Sequence, residues 1–336
     1  MTEAKSVAVW CLSREGERSS DIEVHFNYWR LRNSKPGTDG QTRRDFLEVG
    51  LQVYRPSSIE EAHIYLPFRT DPPVDLGPHF SNPSIAQGIF NQPLDVSQPQ
   101  GGKWIDLTLT KPGRQAIRVY CFDTDDIEND VGIAERSGGT ILTIGREIFE
   151  QFPAAGDMHA YFRFRVYMPE SSGNPLVRVI KPPDRLWVTG FDAIEFVDFR
   201  YNDARTLPDS VERLMRKHTD RPAVRTRVIA FLTAVPLQSE MTVSHAEVHK
   251  IRRLENTVWD SHVSGGIPDD MIVYHWKDVA TKSRPLSDFS AFVKLRHRRS
   301  GWKVVLPYAT LGLLIGIFGN LLAQLAWEWF FRRGGG

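Results

Sequence analysis

The densest group of acidic side chains follows a short apolar run and could bind a hard cation. Asp123, Asp125 and Asp126 lie within four residues of one another, and two more acids follow closely. Carboxylate oxygens are the ligands that calcium and magnesium prefer. The order departs from the EF-hand calcium loop, because Ile127 occupies the fifth position counted from Asp123. Two interpretations remain open, a cation site and a solvated acidic turn, and the turn is the simpler one.

Two histidines four residues apart could hold zinc. His245 and His249 would share one face of a helix, with Glu247 between them. The H-E-x-x-H motif of zinc proteases is absent, because Ala246 and not glutamate follows His245. Roles in helix capping and on the surface are the simpler interpretation.

Four basic residues in two polar segments are candidate ligand contacts. Arg216 and Lys217 belong to the most basic part of the body, which could bind phosphates of a nucleotide, a lipid headgroup or RNA. Arg200 and Arg205 lie in a polar stretch directly after a predicted strand, where binding residues often occur. A solvated helix and loop is the alternative for the first pair.

The motifs that identify common enzymes are absent from the sequence. It contains no glycine-rich phosphate loop, no dinucleotide fingerprint, no G-x-S-x-G and no C-x-x-C. The only two cysteines, Cys11 and Cys121, cannot form a disulfide framework. We therefore identify no catalytic residue and predict no cofactor.

The C-terminal region predicts a membrane-spanning helix. Residues 304–327 contain no charged side chain, and a helix of this length reaches ~36 Å, enough to cross a hydrocarbon core of ~30 Å. Trp302 and Tyr308 lie near one end, and Trp327, Trp329 and Phe330 lie at the other, as in the aromatic belts of membrane proteins.

Small and polar residues recur at every fourth position of this span. Gly312, Gly316, Asn320 and Gln324 would form one stripe on the helix. Paired glycines allow close approach of a second helix, and amides in a membrane seek hydrogen-bond partners. The stripe predicts self-association of the helix. A pore lined by it is a bolder hypothesis, and a simple anchor is the alternative.

Basic residues before the span set its expected orientation. Arg296, Arg298, Arg299 and Lys303 precede the apolar stretch, where they would contact anionic lipid headgroups. The positive-inside rule then leaves the body in the cytoplasm and translocates the C-terminus. We expect a single-pass, tail-anchored protein, in the inner membrane if the source is bacterial.

The charge of the body differs from that of the tail. Of the 336 residues, 42 are basic and 41 acidic, but the segment from Lys294 onward contains seven basic residues and one acid. A mildly acidic body argues against binding of bulk nucleic acid, which requires a basic surface. The 41% of hydrophobic residues can form a sizeable core.

Apolar residues that alternate with polar ones predict an α+β protein with a β-rich N-terminal module, an antiparallel sandwich or barrel, over residues 1–175. A smaller α/β module is expected over 176–293, a basic juxtamembrane segment over 294–303, and the membrane helix with a short tail over 304–331. Within the second module we predict strands near 194–201, 227–235 and 271–276, and helices near 206–217, 244–260 and 286–298.

These features favour a cytoplasmic sensing or interaction body coupled to a self-associating membrane helix. A more specific hypothesis is that the protein is a defence-type effector that perturbs the membrane. The expected partners are the lipid bilayer, a second copy of the chain, and a protein or nucleotide bound by the body. A membrane-tethered hydrolase, which could be metal-dependent, and a structural subunit of a membrane complex are the alternatives.

Overall fold

The chain is β-rich with three sheets and a single long apolar helix at its C-terminus. The computed structural model describes residues 5–31, 44–99, 101–110, 116–122, 127–153, 158–169, 173–180, 192–217, 220–244, 246–263, 266–268, 270–298 and 302–333. The prediction of a β-rich body followed by one long apolar helix is therefore confirmed.

The strands of the described chain are, in order, β1 (Ala8–Ser13), β2 (Asp21–Trp29), β3 (Phe46–Val53), β4 (Ile59–Leu66), β5 (Val74–Asp75), β6 (Leu94–Ser97), β7 (Trp104–Leu109), β8 (Ile117–Tyr120), β9 (Val131–Arg136), β10 (Gly139–Ile144), β11 (His159–Tyr167), β12 (Val177–Ile180), β13 (Asp192–Tyr201), β14 (Arg225–Pro236), β15 (Ser239–Ser244), β16 (Lys250–Arg253), β17 (Met271–Val279) and β18 (Phe289–Arg298). The helices are α1 (Pro83–Phe90), α2 (Ile127–Asp130), α3 (Arg146–Phe149), α4 (Asp209–Arg216), α5 (Asn256–Trp259) and α6 (Trp302–Arg333), with 3-10 turns at Pro56–Ser58 and Gly77–Ser81.

The largest sheet has the order β16-β17-β14-β2-β3-β11-β8-β7-β6, and β5 pairs with one end of β11. It contains strands from both sides of the module boundary predicted after residue 175, because β14 pairs with β2 in parallel. The boundary itself stays a prediction. Two four-stranded sheets complete the body, β1-β4-β10-β9 and β12-β13-β18-β15.

The main core lies between one face of the large sheet and the two smaller sheets. Strand β2 shows why, since Val24 and Phe26 are fully buried while His25 between them is only half-buried. Phe199 of β13 stacks on Phe231 of β14 at 4.2 Å between ring centroids. Alternation of apolar and polar residues thus directs one side of each strand into this core.

The opposite face of the large sheet is covered at two places only within the described chain. Near α5, a small apolar cluster includes Trp29, Phe46 and Trp259. Near α1, another cluster includes Phe80, Ile105 and Tyr161. The polar face of the sheet lies between these two covers.

The helix predicted over 244–260 is wrong. The chain there contains the end of β15, the edge strand β16 and only one short helix, α5. Strand β16 pairs with β17, so its backbone groups find partners along a sheet edge and need no helix. Ser244 donates to the carbonyl of Ala246 and does not cap a helix. His249 lies directly before β16 and belongs to no helix, whereas His245 lies outside the described residues.

The helix predicted over 286–298 is also wrong, because residues 289–298 form β18. Ala291, Val293 and Leu295 are buried at alternate positions, which is the period of a strand. The predicted strands in β13, β14 and β17 are confirmed. The helix predicted from about 206 is confirmed as α4.

A cationic groove and an exposed apolar helix

Helix α6 is the one helix in the described chain that is long and apolar enough to cross a membrane. The candidate span is Val305–Arg332, 28 residues, and none of it is buried against the body. Leu313, Phe318 and Leu322 each expose more than 60% of their surface. A soluble protein would normally bury such a surface in its core.

The predicted stripe of small and polar residues lies along α6 without contacts to the rest of the body. Gly312, Gly316, Asn320 and Gln324 are at least partly exposed. A methyl group added to either glycine would meet no described atom within 4 Å. The fold of the single chain therefore gives no packing reason for these glycines.

The basic juxtamembrane residues are only partly described. Arg296 is exposed on β18, two residues before the strand ends. The side chains of Arg298 and Lys303 and the whole of Arg299 lie outside the described residues. Their contact with lipid headgroups stays a prediction.

The polar face of the large sheet forms the floor of a groove. Directly paired residues place Lys277 of β17, Ala230 of β14, His25 of β2, Gly50 of β3 and Arg163 of β11 in one row across five strands. Paired residues project from the same face of a sheet. Ala230 is small and lines an open space above the floor, whereas the Tyr161 hydroxyl occupies the space above Gly50.

The groove encloses about 770 Å³, within the range of small-molecule sites. Gly88, Phe90 and Trp259 contribute to its lining from α1 and α5. Its cationic side chains outnumber the single acid, Glu23, and are Arg163, Arg227, Lys250, Arg252 and Lys277. Within the part of the chain that the structure describes, the last four have no carboxylate at ion-pair distance.

Arg163 belongs to a fully buried charge cluster beneath the groove. Its Nη2 donates to Glu48 at 2.6 Å, and Nη2 of Arg165 donates to the other carboxylate oxygen at 2.7 Å. Nε2 of His262 lies 2.9 Å from Glu48. Burial alone would raise the pKa of Glu48, but His262 and the two guanidinium groups lower it well below its usual range. Burial lowers the pKa of His262, so one carboxylate faces two permanent cations.

Two histidines of the groove are held neutral at pH 7. Burial, followed by the charges of Arg163 and Lys277, lowers the pKa of His25 to about 3. Burial, followed by the neighbouring His249 and Lys277, lowers the pKa of His275 to about 4. Burial contributes most to both shifts, and the neighbouring cations oppose protonation further.

A second cavity of about 640 Å³ adjoins the groove. Tyr54, His159 and Arg227 line both spaces. The centroid of the Tyr54 ring lies 4.1 Å from that of the His159 ring, and the Arg227 guanidinium lies over the Tyr54 ring, 5.0 Å from its centroid. These three side chains form the partition between the two cavities.

The candidate ligand residues near the end of β13 pair within their own turn. Arg200 donates to both oxygens of Asp198, and Arg205 donates to both oxygens of Asp203. The backbone N–H of Asp203 donates to Ser6, which ties the turn to the chain ahead of β1. These contacts give the polar stretch a structural role, and its ligand role stays a prediction.

The other candidates do not meet at one site. Arg216 pairs with Glu212 on α4, and Lys217 follows at the end of that helix. Both lie outside the lining of the groove. His249 lies beside His275, with 5.4 Å between ring centroids. Asp123, Asp125, Asp126 and His245 lie outside the described residues, and among those described no three His, Cys, Asp or Glu side chains group as a metal site requires.

Sequence reasoning missed the cations of the groove because they come from β11, β14, β16 and β17, which only the sheet order brings together. The available signal was the alternation of Arg163 and Arg165 with phenylalanines on β11. That pattern predicted a wet face, whereas both arginines are buried.

Comparison of the sequence with models of known protein families finds no match, and a search of curated proteins finds no significant similarity. The functional argument therefore depends on the geometry of the chain itself.

Proposed function

We propose that the protein is a membrane-anchored sensor, in which the body binds a small anionic ligand in the cationic groove and α6 anchors the chain and associates with other copies. The observation that carries the proposal is the span Val305–Arg332, which is apolar and entirely uncovered by the body. Apolar surface of this extent is stable in contact with lipid or with another apolar helix.

The groove supports the sensing part of the proposal. The body as a whole is mildly acidic, yet five cationic side chains and one acid line this single cavity. Arg227, Lys250 and Lys277 are exposed, so solvent screens part of their mutual repulsion, and a bound anion would neutralise the rest. Four of these cations make no ion pair in the described chain, so their charges are available to an anionic ligand.

A buried ion pair supports coupling between the groove and the anchor. Strand β2 contributes His25 and Asn27 to the groove, and Arg30 follows directly after it. Arg30 donates to both oxygens of Glu195 on β13, at 3.2 and 3.0 Å. Glu195 also bonds to His297 on β18, the strand that leads into α6. A shift of β2 on ligand binding would thus reach the base of the membrane helix through two contacts.

Membrane partition tests the anchor. Deletion of Gly301–Gly336 is expected to move a folded body into the soluble fraction, whereas the full chain resists extraction by high salt and alkaline carbonate. Circular dichroism of the released body, compared with the full chain in detergent, checks that the strands are retained. If the truncated, folded body still sediments with membranes after the salt wash, α6 is not the anchor and the proposal is wrong.

A further inference from the structure

We propose that the cationic groove binds a small molecule that carries two or more phosphate groups. This inference rests on the proposed function in taking the groove as the ligand site, and it adds the chemical class of the ligand.

The positions of the cations favour more than one anionic group. Lys277 and Arg163 lie at opposite ends of the row across β17, β14, β2, β3 and β11. Four strand spacings separate them, about 19 Å between Cα atoms. Lys250 pairs with His275 next to the Lys277 end. A single phosphate cannot contact both ends, whereas a ligand with phosphates at separate positions can.

The buried cluster beneath the groove also favours an anion of high charge. Glu48 offers one negative charge to Arg163 and Arg165, all of them fully buried, so one positive charge remains uncompensated. Nε of Arg163 has no hydrogen-bond partner in the described chain. An unbalanced buried charge is costly, and a bound anion above Arg163 would offset that cost.

Phosphate fits these donors better than carboxylate does. A terminal phosphate brings close to two negative charges and three acceptor oxygens, whereas a carboxylate brings one charge and two oxygens. Arginine forks bind phosphate oxygens in pairs, and lysine supplies point charges to the same groups. The uncharged donors His25, Asn27 and Gln52 on the floor can complete the hydrogen bonding of such a ligand.

Binding of a phosphate ligand should be linked to proton uptake. His25 faces Arg163, Lys277 and His275, with the Tyr161 hydroxyl at 3.3 Å and Glu23 at 3.9 Å. His275 faces cationic or basic side chains on β16 and β17, namely His249, Lys250, Arg252 and Lys277. An anion among these groups raises the pKa of both imidazoles above the values of about 3 and 4, so affinity increases as the pH falls from neutral toward those values.

The test is isothermal titration calorimetry of the full chain in non-ionic detergent, with inorganic triphosphate and citrate as probes. Triphosphate is expected to bind at least about tenfold more tightly than citrate at pH 7. Lys277→Gln should weaken triphosphate binding about tenfold or more, the scale of one charge-assisted hydrogen bond. Arg253→Gln is the matched control, because Arg253 is a β16 residue that pairs with Asp270 and does not line the groove.

The titration repeated at pH 5, just above the pKa values of His25 and His275, in two buffers of different ionisation enthalpy measures proton uptake, which His275→Gln should reduce. Equal affinity for citrate and triphosphate, both weakened by Lys277→Gln, would overturn the phosphate inference and leave the groove as a general anion site. If the wild-type chain binds neither probe, or if Lys277→Gln leaves the binding of both unchanged, the inference and the sensing part of the proposed function are both wrong. Triphosphate binding without proton uptake would place the anion away from His25 and His275, against this inference.

Discussion

Oε1 of Glu195 lies 2.6 Å from Nε2 of His297, five residues before α6 begins. The hydroxyl oxygen of Ser239 lies 2.7 Å from Nδ1, the other ring nitrogen of His297, at hydrogen-bond distance. Glu195 is 2% exposed, so the strand that precedes α6 is tied to the body through a buried carboxylate. The same carboxylate holds Arg30, at the end of the strand that forms the floor of the groove.

We predict that Glu195→Gln destabilises the body by about 3 kcal/mol at pH 7, because removal of one partner leaves the buried Arg30 with less negative charge. Burial alone would raise the pKa of Glu195, but hydrogen bonds from His297 and Arg30 lower it to about 2. A carboxylate with a lowered pKa stabilises the fold above its ordinary value of 4.5, and this contribution is lost as the pH falls toward 2.

Urea denaturation of the wild type and the variant, followed by tryptophan fluorescence from pH 7 to pH 2, checks this prediction. The difference in the free energy of unfolding should shrink below pH 4.5. A difference that stays constant down to pH 2 would mean that the charge of Glu195 contributes nothing. Glu240→Gln, on the neighbouring strand β15, controls for the general loss of one carboxylate.

A second prediction concerns Gly50, which lies in the floor of the groove between His25 and Arg163. A Cβ atom at this position would lie 2.3 Å from the Tyr161 hydroxyl oxygen and 3.3 Å from Nη1 of Arg163. Tyr161 is fully buried and cannot move freely, so Gly50→Ala should cost about 1–3 kcal/mol of stability. Gly132→Ala is the control, because its nearest contact is an ordinary 3.5 Å from Thr143. Equal melting temperatures for the two variants would contradict the tight packing of the groove floor.

The sequence predicts those features that one segment determines by itself. The apolar run of α6 and the period-two strands β2 and β13 depend on local patterns, and they are confirmed. Residues 289–298 were interpreted as a helix, although Phe289, Ala291 and Val293 alternate as in a strand, because the neighbouring membrane helix favoured a continuous element. The groove could not be predicted, since only the order of the sheet brings Arg163, Arg227 and Lys277 to the lining of one cavity.

A third prediction tests the orientation of the anchor. Replacement of Arg296, Arg298, Arg299 and Lys303 by glutamate removes attraction to anionic headgroups worth on the order of 1 kcal/mol for each residue. Insertion or orientation of α6 should be disturbed, and the protease-protection pattern of the C-terminus should change in vesicles that contain anionic lipid. Replacement of the three arginines by lysine should leave the pattern unchanged. An unaltered protease-protection pattern in the glutamate variant would contradict the contact of these four residues with anionic headgroups.

The last prediction concerns the stripe on α6. Gly316→Ile places a branched side chain where a second helix should approach the backbone, whereas Leu313→Ile keeps an exposed apolar residue of the same size off the stripe. Asn320→Leu removes an amide that should hydrogen-bond across the helices, a contact worth about 0.6–2 kcal/mol in membrane proteins. The yield of cysteine crosslinks between the α6 helices of two copies in membranes should therefore fall for Gly316→Ile and Asn320→Leu. It should stay near the wild-type level for Leu313→Ile. Because a Cβ at Gly316 would meet no described atom beyond the backbone of its own helix, a loss of crosslinking reports on association and not on folding of the body. If Gly316→Ile and Leu313→Ile crosslink equally, α6 serves as an anchor alone, and coupling of the groove to assembly would need another surface.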